Sequence, residues 1–329
     1  MARSDLLINL VRSASGGDDT MFRKTVEAMI ADERAKQHHV LADQLVQNLG
    51  TGKARGANGH GAESQAHQLL HEITPLRPLS DLVLPDIVRW ACQELIEEHH
   101  RSDLLRSYNL EPRHRVLLAG PPGNGKTSLA EALAEGLMIP FLVVRYDSLI
   151  GSYLGETAMR LSLLFDYVRT RRCVLFFDEF DALGKERGDA HETGEIKRVV
   201  SALLLQIDAL PSHVVVVTAS NHPELLDRAV WRRFQLRLSL PLPTRAQLEE
   251  WIRRFEERFG HALGYSPRVL STILHGASFA EVEEFAVDIQ RRYVLSLPEA
   301  NVKEIVGQRL TQWRARFDIS VGNSKKDED

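Results

Sequence analysis

Only two cysteines occur in the 329 residues, Cys92 and Cys173. Two thiols cannot build a disulfide framework, so the fold must rest on a buried apolar core. Cys173 opens an apolar run, where a free thiol serves as a small core residue, and the pair fits a reducing compartment. No apolar run approaches the ~18 residues that a membrane span needs. Leu6-Leu7-Ile8-Asn9-Leu10-Val11 is short and interrupted, so no secretory leader is expected, and the chain reads as cytoplasmic. Charge of one sign is missing too. Lys and Arg number 41 against 45 Asp and Glu, a formal net charge of −4, which argues against obligate binding to a polyanion. The clusters Arg169, Arg171, Arg172 and Arg291, Arg292 lie among acids and read as solvated faces or subunit contacts better than as a nucleic-acid surface. A zincin pattern is absent as well. His67 and His71 stand four apart, but Gln68 occupies the place of the glutamate and no third ligand follows. The pairs His38-His39 and His99-His100 point to different helix faces and do not clamp one metal. There is no internal repeat.

What remains is an ordinary soluble composition, 43% apolar and 26% charged, on a chain long enough for two or three domains. Residues 1–49 read as helical. Asp18-Asp19-Thr20 can cap a segment whose apolar positions include Phe22, Val26, Met29, Ile30, Leu41, Leu45 and Leu49. Gly50 to Gly61 carries five glycines among polar neighbours and reads as a linker. A further helical pattern runs from Ala62 to just before Pro75. Pro75, Pro78 and Pro85 then mark an extended connector. From Arg115 to Leu240, apolar runs alternate with helical patterns: Arg115–Ala119, Phe141–Arg145, Cys173–Phe177, Val214–Ala219 and Gln235–Leu240. That alternation predicts an α/β domain with a parallel five-stranded sheet and helices on both faces. After Pro241 and Pro243 the strand patterns stop. Helical patterns at Arg245–Phe259, Pro267–His275, Phe279–Leu297 and Glu299–Phe317 predict a small all-α domain. Asn323 to Asp329 is a charged tail that reads as disordered.

Residues 120–127, Gly-Pro-Pro-Gly-Asn-Gly-Lys-Thr, stand directly between the strand pattern ending at Ala119 and a helical pattern from Ser128. The spacing G-x-x-x-x-G-K-[ST] in that context is a phosphate-binding loop. Gly123 and Gly125 let the backbone curl so that N–H groups face phosphate oxygens, and the next helix turns its positive end to the same anion. Lys126 can reach the β- and γ-phosphates, and the Thr127 hydroxyl can ligate Mg²⁺. Gly50-Thr51-Gly52-Lys53 imitates part of this pattern. It has no preceding strand, and Ala54 stands in place of the hydroxyl, so it belongs to the linker.

Cys173–Phe177 is an apolar strand ending in Asp178-Glu179. The carboxyl edge of a buried strand is where α/β sheets place chemistry. Asp178 suits the metal and Glu179 the attacking water. A strand that merely ends in solvated acids is the plainer alternative, and the phosphate loop upstream weighs against it. Val214–Thr218 is another such strand, followed by Ala219-Ser220-Asn221. The Asn221 amide could orient the water or sense the γ-phosphate.

In this order the motifs resemble the AAA family of ATPases, within the wider AAA+ group, from about Leu79 to Phe317. Gly120–Thr127 matches its Walker A element, Phe176–Glu179 its Walker B element, and Asn221 its sensor 1. The resemblance divides the chain into an N-terminal helical region (1–72), a large ATPase domain (73–241), a helical lid (242–317) and a tail (318–329). It implies ATP and Mg²⁺, with Pro122, Gly123, Asn124, Gly125, Lys126, Thr127 and Ser128 around the phosphates. It places Asp81-Leu82-Val83 beside the base and His275-Gly276-Ala277 against ribose and adenine. Arg232 and Arg233 match paired arginine fingers that reach a neighbouring subunit's γ-phosphate. Tyr153-Leu154-Gly155 matches pore loop 1, in which Tyr153 grips a polypeptide by apolar contact, and Gly184–Gly194 falls on pore loop 2. The sequence departs from the pattern in three places. Phe279-Ala280-Glu281-Val282 replaces the usual Gly-Ala-Asp-Leu, no sensor 2 arginine stands there, and Gln235 replaces an acid after the arginine pair.

Arg233–Pro243 is most similar to the katanin and spastin branch. Gly155-Glu156-Thr157, Glu195–Val200 and Asn221–Asp227 resemble stand-alone bacterial members, some of which are paired with a subtilisin-like protease. What the resemblance implies is a homo-oligomeric ring, a hexamer, that remodels, unfolds or threads protein substrates, with any proteolysis performed by a separate partner protease. The alternative is a nucleotide-dependent, DNA-associated assembly factor or scaffold, which would need basic groove residues and no Tyr153.

Overall fold

The computed structural model describes residues 4–16, 19–50, 65–149, 154–183, 190–226 and 228–324. The chain forms two compact units: Met1–Gly120 with Lys126–Ser239, and Pro121–Gly125 with Leu240–Asp329.

The first unit is built on a six-stranded sheet. Its strands are β1 (Leu70–Ile73), β2 (Arg115–Ala119), β3 (Phe141–Val144), β4 (Cys173–Phe177), β5 (Val214–Ser220) and β6 (Leu236–Ser239), in the order β1-β3-β4-β5-β2-β6. β2 to β6 are mutually parallel, and their positions match the five apolar runs of the sequence. Every residue of β4 and β5 is buried, as expected for strands covered on both faces. At the edge, β6 buries Leu236 and Leu238 while Arg237 and Ser239 face out.

The sixth strand corrects the sequence reading. Among the described residues, the helical pattern from Ala62 to just before Pro75 yields a helical turn over 65–68, and the chain then enters β1, antiparallel to β3, with Leu70 opposite Val144 and Ile73 opposite Phe141. The reason is backbone satisfaction. As the last parallel strand, β3 would leave one row of N–H and C=O groups unpaired, and a short strand closes that row. The Arg145 N–H extends the ladder to the Leu69 carbonyl at 2.9 Å. Ala66, Leu69 and Leu70 join the buried core, while His71 and Glu72 face outward.

Three N-terminal helices, α1 (Ser4–Gly16), α2 (Asp19–Ala35) and α3 (His39–Gly50), precede the sheet. They pack around Val26, Ile30 and Ala42, with Leu10, Phe22, Leu45 and Val46 alongside. α2 is bound to the sheet part of the unit. Arg34 donates to the Thr170 hydroxyl at 2.8 Å, and Glu27 lies 3.7 Å from Arg169. Next come α4 (Asp86–His100), α5 (Ser102–Ser107), α6 (Lys126–Leu137), α7 (Tyr146–Leu149), α8 (Leu154–Arg169), α9 (Ala190–Ala209) and α10 (Arg228–Arg233). Among the described residues no helix is long and apolar enough to cross a membrane.

The second unit holds α11 (Arg245–Phe259), α12 (Pro267–Ile273), α13 (Phe279–Leu295) and α14 (Val302–Ser324). Its helix starts are set locally. Thr244 with Gln247 and Ser278 with Glu281 form reciprocal capping boxes, and Ser266 caps α12 ahead of Pro267. Gly260, at φ +75°, ends α11 in the left-handed conformation. Leu248, Ile252, Phe255, Leu270, Val282 and Phe285 form the core. α14 continues as helix through 318–324, whereas the domain division drawn from the resemblance starts the tail at 318 and composition starts it at Asn323.

Candidate nucleotide site

The strand order brings the chemistry-bearing residues together. β2 leaves the sheet between β5 and β6, and the chain then crosses over β5 and β4 to reach β3. The crevice at the carboxyl ends of β2, β4 and β5 is therefore the switch point at which such sheets bind ligands. Within the first unit Lys126-Thr127, Asp178-Glu179 after β4 and Asn221 after β5 stand there.

Gly123 and Gly125 have φ of +75° and +80°, the left-handed region that glycine reaches without penalty. A Cβ on Gly123 would also meet the Ser278 hydroxyl at 2.8 Å. The Gly123 carbonyl accepts from the Ala280 N–H at 2.9 Å. Asn124 is buried; its Oδ1 accepts from the Phe279 N–H at 3.4 Å, and its Nδ2 donates to the Pro121 carbonyl. Within the second unit, then, the start of α13 braces the loop. The turn His275-Gly276-Ala277 leads straight into that brace, with His275 and Gly276 exposed and Ala277 buried. Pro122 is exposed.

Lys126 is 6% exposed, and its ammonium donates to the Gly120 carbonyl at 2.7 Å. Burial pulls its pKa below the usual lysine value, while the Asp178 and Asp181 carboxylates pull the other way. The Thr127 hydroxyl donates to Asp178 Oδ2 at 3.0 Å, and Asp178 Oδ1 accepts from the Glu179 N–H at 2.9 Å. Glu179 itself is exposed and sits at φ +46°, a conformation that costs a non-glycine residue about 1–3 kcal/mol. Asn221 is held from below, its backbone N–H donating to Oδ1 of buried Asp181 at 3.0 Å.

The connector before the domain is docked on the phosphate-loop helix. Arg77 donates to the Ser128 hydroxyl at 2.8 Å, the Leu76 N–H donates to Glu131, and the 3₁₀ turn Leu79–Asp81 packs on α6. Asp81 is exposed, Leu82 half-buried and Val83 buried, and the Leu82 carbonyl accepts from Arg89.

The arginine pair is split. Arg232 is exposed, whereas Arg233 forms an ion pair with Asp208 at the end of α9. Asp208 also takes Arg115 at 2.6 Å. Phe234, buried edge-on against Phe180, anchors α10 beside the segment that carries Glu179. Gln235 is structural. Its Oε1 accepts from the N–H groups of His114 and Arg115, tying the start of β6 to the start of β2. Tyr153 and residues 184–189 lie outside the described residues. Leu154 opens α8 and Gly155 follows, where a Cβ would meet nothing within 4 Å. His67 bonds the Tyr167 hydroxyl at 3.1 Å.

Sequence reasoning missed Asp181, Asp208, Arg77 and the role of Gln235. Of these only Asp181 carried a signal, as a third carboxylate in Asp178-Glu179-Phe180-Asp181.

Thr127 and Asp178 fit Mg²⁺. They offer hard oxygen donors in mutual contact, and Mg²⁺ is held by one or two such groups together with substrate phosphates rather than by an all-protein cage. Among the described residues no group of three or more His, Cys, Asp or Glu could hold a metal ion.

The family model described as ATPase family associated with various cellular activities (AAA) matches residues 116–242. The chain is 37% identical over 291 residues to the AAA family ATPase y4kL of Sinorhizobium fredii, itself uncharacterized, covering 86% of this chain and 87% of that one. It is 32% identical over 238 residues to the proteasome-activating nucleotidase of Thermococcus onnurineus, covering 67% of this chain and 59% of the relative. It is 28% identical over 282 residues to the ATP-dependent zinc metalloprotease FtsH 1 of Methylacidiphilum infernorum, covering 80% of this chain and 44% of the relative.

Proposed function

The chain belongs to the AAA family of ATPases, and from that premise we propose that it works as a hexameric ring that uses Mg-ATP hydrolysis to unfold or remodel proteins in the cytoplasm. The observation that carries the reading is the meeting of Lys126, Thr127, Asp178, Glu179 and the anchored Asn221 at the carboxyl ends of β2, β4 and β5. A relative named for activating a proteasome supports the protein-directed part.

In this reading the loop N–H groups from Gly123 to Ser128 and the Lys126 ammonium hold the β- and γ-phosphates. Mg²⁺, held by Thr127 and Asp178, would neutralise charge that develops on the phosphate oxygens. The Glu179 carboxylate takes the proton of the attacking water, and the Asn221 amide holds that water in line. Asp81–Val83 and His275–Ala277 border the nucleoside. Arg232 is the finger that reaches the neighbour's γ-phosphate. Arg233, engaged by Asp208, sets the angle at which α10 presents it. Tyr153 grips the polypeptide. A protease partner, subtilisin-like by resemblance, would be a second protein.

The test uses Glu179→Gln and Tyr153→Ala. Glu179→Gln keeps the side chain's shape but not its basicity, so it should bind ATP, stop turnover and retain protein clients. Tyr153→Ala touches no phosphate contact, so it should keep ATPase activity and lose unfolding of a tagged client. ATPase stimulation by DNA and not by unfolded protein would sink the remodelling reading in favour of the scaffold.

A further inference from the structure

Beside the paired acids of β4 stands a buried donor that the hydrolysis reading does not use. Tyr146 opens α7 directly after Arg145, at the carboxyl end of β3. β3 pairs in parallel with β4, Phe141 level with Val174 and Val143 level with Phe176. Continuing that register residue by residue sets Tyr146 level with Glu179. Paired strands lie about 4.8 Å apart, a gap that either side chain can span. The Tyr146 ring packs against Phe177, two residues before Glu179, with ring centroids 6.5 Å apart.

The hydroxyl at the end of that ring is buried and has no hydrogen-bond partner among the described residues. Burial pushes its pKa up, and the Asp178, Asp181 and Glu179 carboxylates push the same way. The phenol therefore keeps its proton and offers an O–H. A donor buried without an acceptor is costly, and the cost is returned when an acceptor arrives. The three nearby carboxylates differ in what they have left to accept. Asp178 takes the Thr127 hydroxyl on Oδ2 and the Glu179 N–H on Oδ1, and Asp181 takes the Asn221 N–H on Oδ1. Glu179 is the exposed one, on a backbone at φ +46°.

We propose that Tyr146 is a positioning residue for hydrolysis: as Glu179 turns inward to the attacking water, the Tyr146 hydroxyl donates to the glutamate oxygen that does not take the proton. One oxygen is then anchored and the other aimed, while the Tyr146 proton stays on the phenol. The inference rests on the reading of Glu179 as the proton acceptor.

Tyr146→Phe deletes only the hydroxyl and leaves a ring to pack on Phe177. The experiment compares full-length parent and variant by ATP turnover at saturating and limiting ATP, by Mg²⁺ titration of the rate, and by melting of the nucleotide-free proteins. In the variant kcat should fall about tenfold or more, the loss of one hydrogen bond to a charged group. KM for ATP and the Mg²⁺ requirement should hold, since no phosphate or metal contact is altered. The melting temperature should not fall, because the hydroxyl has no partner to lose; a hydroxyl that merely supported the fold would give the opposite pattern. Parental kcat, a lower melting temperature, or a raised Mg²⁺ requirement, which would put the hydroxyl on Asp178, each overturns the proposal. Glu179→Gln, measured alongside, keeps the two readings apart. Parental turnover by Glu179→Gln would remove the proton acceptor and this proposal with it, whereas an inactive Glu179→Gln beside a fully active Tyr146→Phe would remove Tyr146 alone.

Discussion

Replacing Asp181 should slow hydrolysis without touching a group that contacts ATP. Its carboxylate is 5% exposed and accepts the Asn221 N–H at 3.0 Å. A hydrogen bond to a charged group contributes about 1.5–3 kcal/mol. Asp181→Ala removes it and frees the backbone that aims the Asn221 amide. If the whole amount is lost from the transition state, kcat falls by about 10- to 150-fold, at tenfold per 1.36 kcal/mol. Asp181→Asn keeps an oxygen acceptor and should lose less than about tenfold. Thermal stability is a poor readout, because deleting a buried carboxylate also removes its desolvation cost. The rate is the better one: single-turnover hydrolysis with enzyme in excess, beside nucleotide affinity by displacement. Affinity near neutral pH should hold. On the alkaline side it should fade earlier than in the parent. Lys126 already loses its proton below the usual lysine value, and Asp181 is one of two carboxylates that resist that loss. A double-mutant cycle with Asn221→Ala gives the decisive number. If Asp181 acts through Asn221, the two losses are strongly non-additive. Additive losses, or a folded Asp181→Ala protein with parental kcat, would refute the coupling.

The split arginine pair predicts unequal roles. Arg232→Ala should abolish assembly-dependent turnover, and mixing it with Glu179→Gln subunits should restore part of the rate. Asp208→Asn should reproduce the milder defect of Arg233→Ala, with equal and severe losses at Arg232 and Arg233 counting against the split. Acid should destabilise the fold. Burial pulls His213 to about 3 and His114 to about 4, so between pH 6.5 and those values the unfolded chain binds more protons and stability falls as pH drops. Glu27, pushed up to about 6 by burial, works in the opposite sense between pH 6 and 4.5. From pH 6 to 4.5 the two histidines outweigh the one glutamate, for a net loss of about 2 kcal/mol, at 1.36 kcal/mol per unit and group. A melting temperature that does not move across that window would contradict the assignment, and His213→Gln should flatten the slope.

The parallel core was legible because strands buried on both faces must be apolar throughout, as Cys173–Phe177 and Val214–Thr218 are. β1 was not, because Leu70-His71-Glu72-Ile73 owes its conformation to the edge of β3, a partner that local pattern does not encode. The convergence of Lys126, Thr127, Asp178 and Glu179 was legible for a related reason: a Gly-rich turn after one apolar strand and paired acids after another are local patterns, and the parallel order brings such strand ends to one edge. Which arginine of the pair faces inward was hidden. Neighbours on a helix point about 100° apart, and only the packing of α10 against α9 decides that Arg233 meets Asp208. Gln235 was hidden too, since its two backbone partners lie about 120 residues away.

Glu179 holds its carboxylate on a backbone that glycine would occupy more comfortably. The position therefore sets durability against turnover. Glu179→Gly would relieve the left-handed strain while deleting the proposed proton acceptor, and should give a protein that outlasts its parent and holds ATP without hydrolysing it. A gene copy released from the need to hydrolyse would gain by that exchange, so descent under relaxed selection has a downhill path from machine to inert scaffold through this single codon.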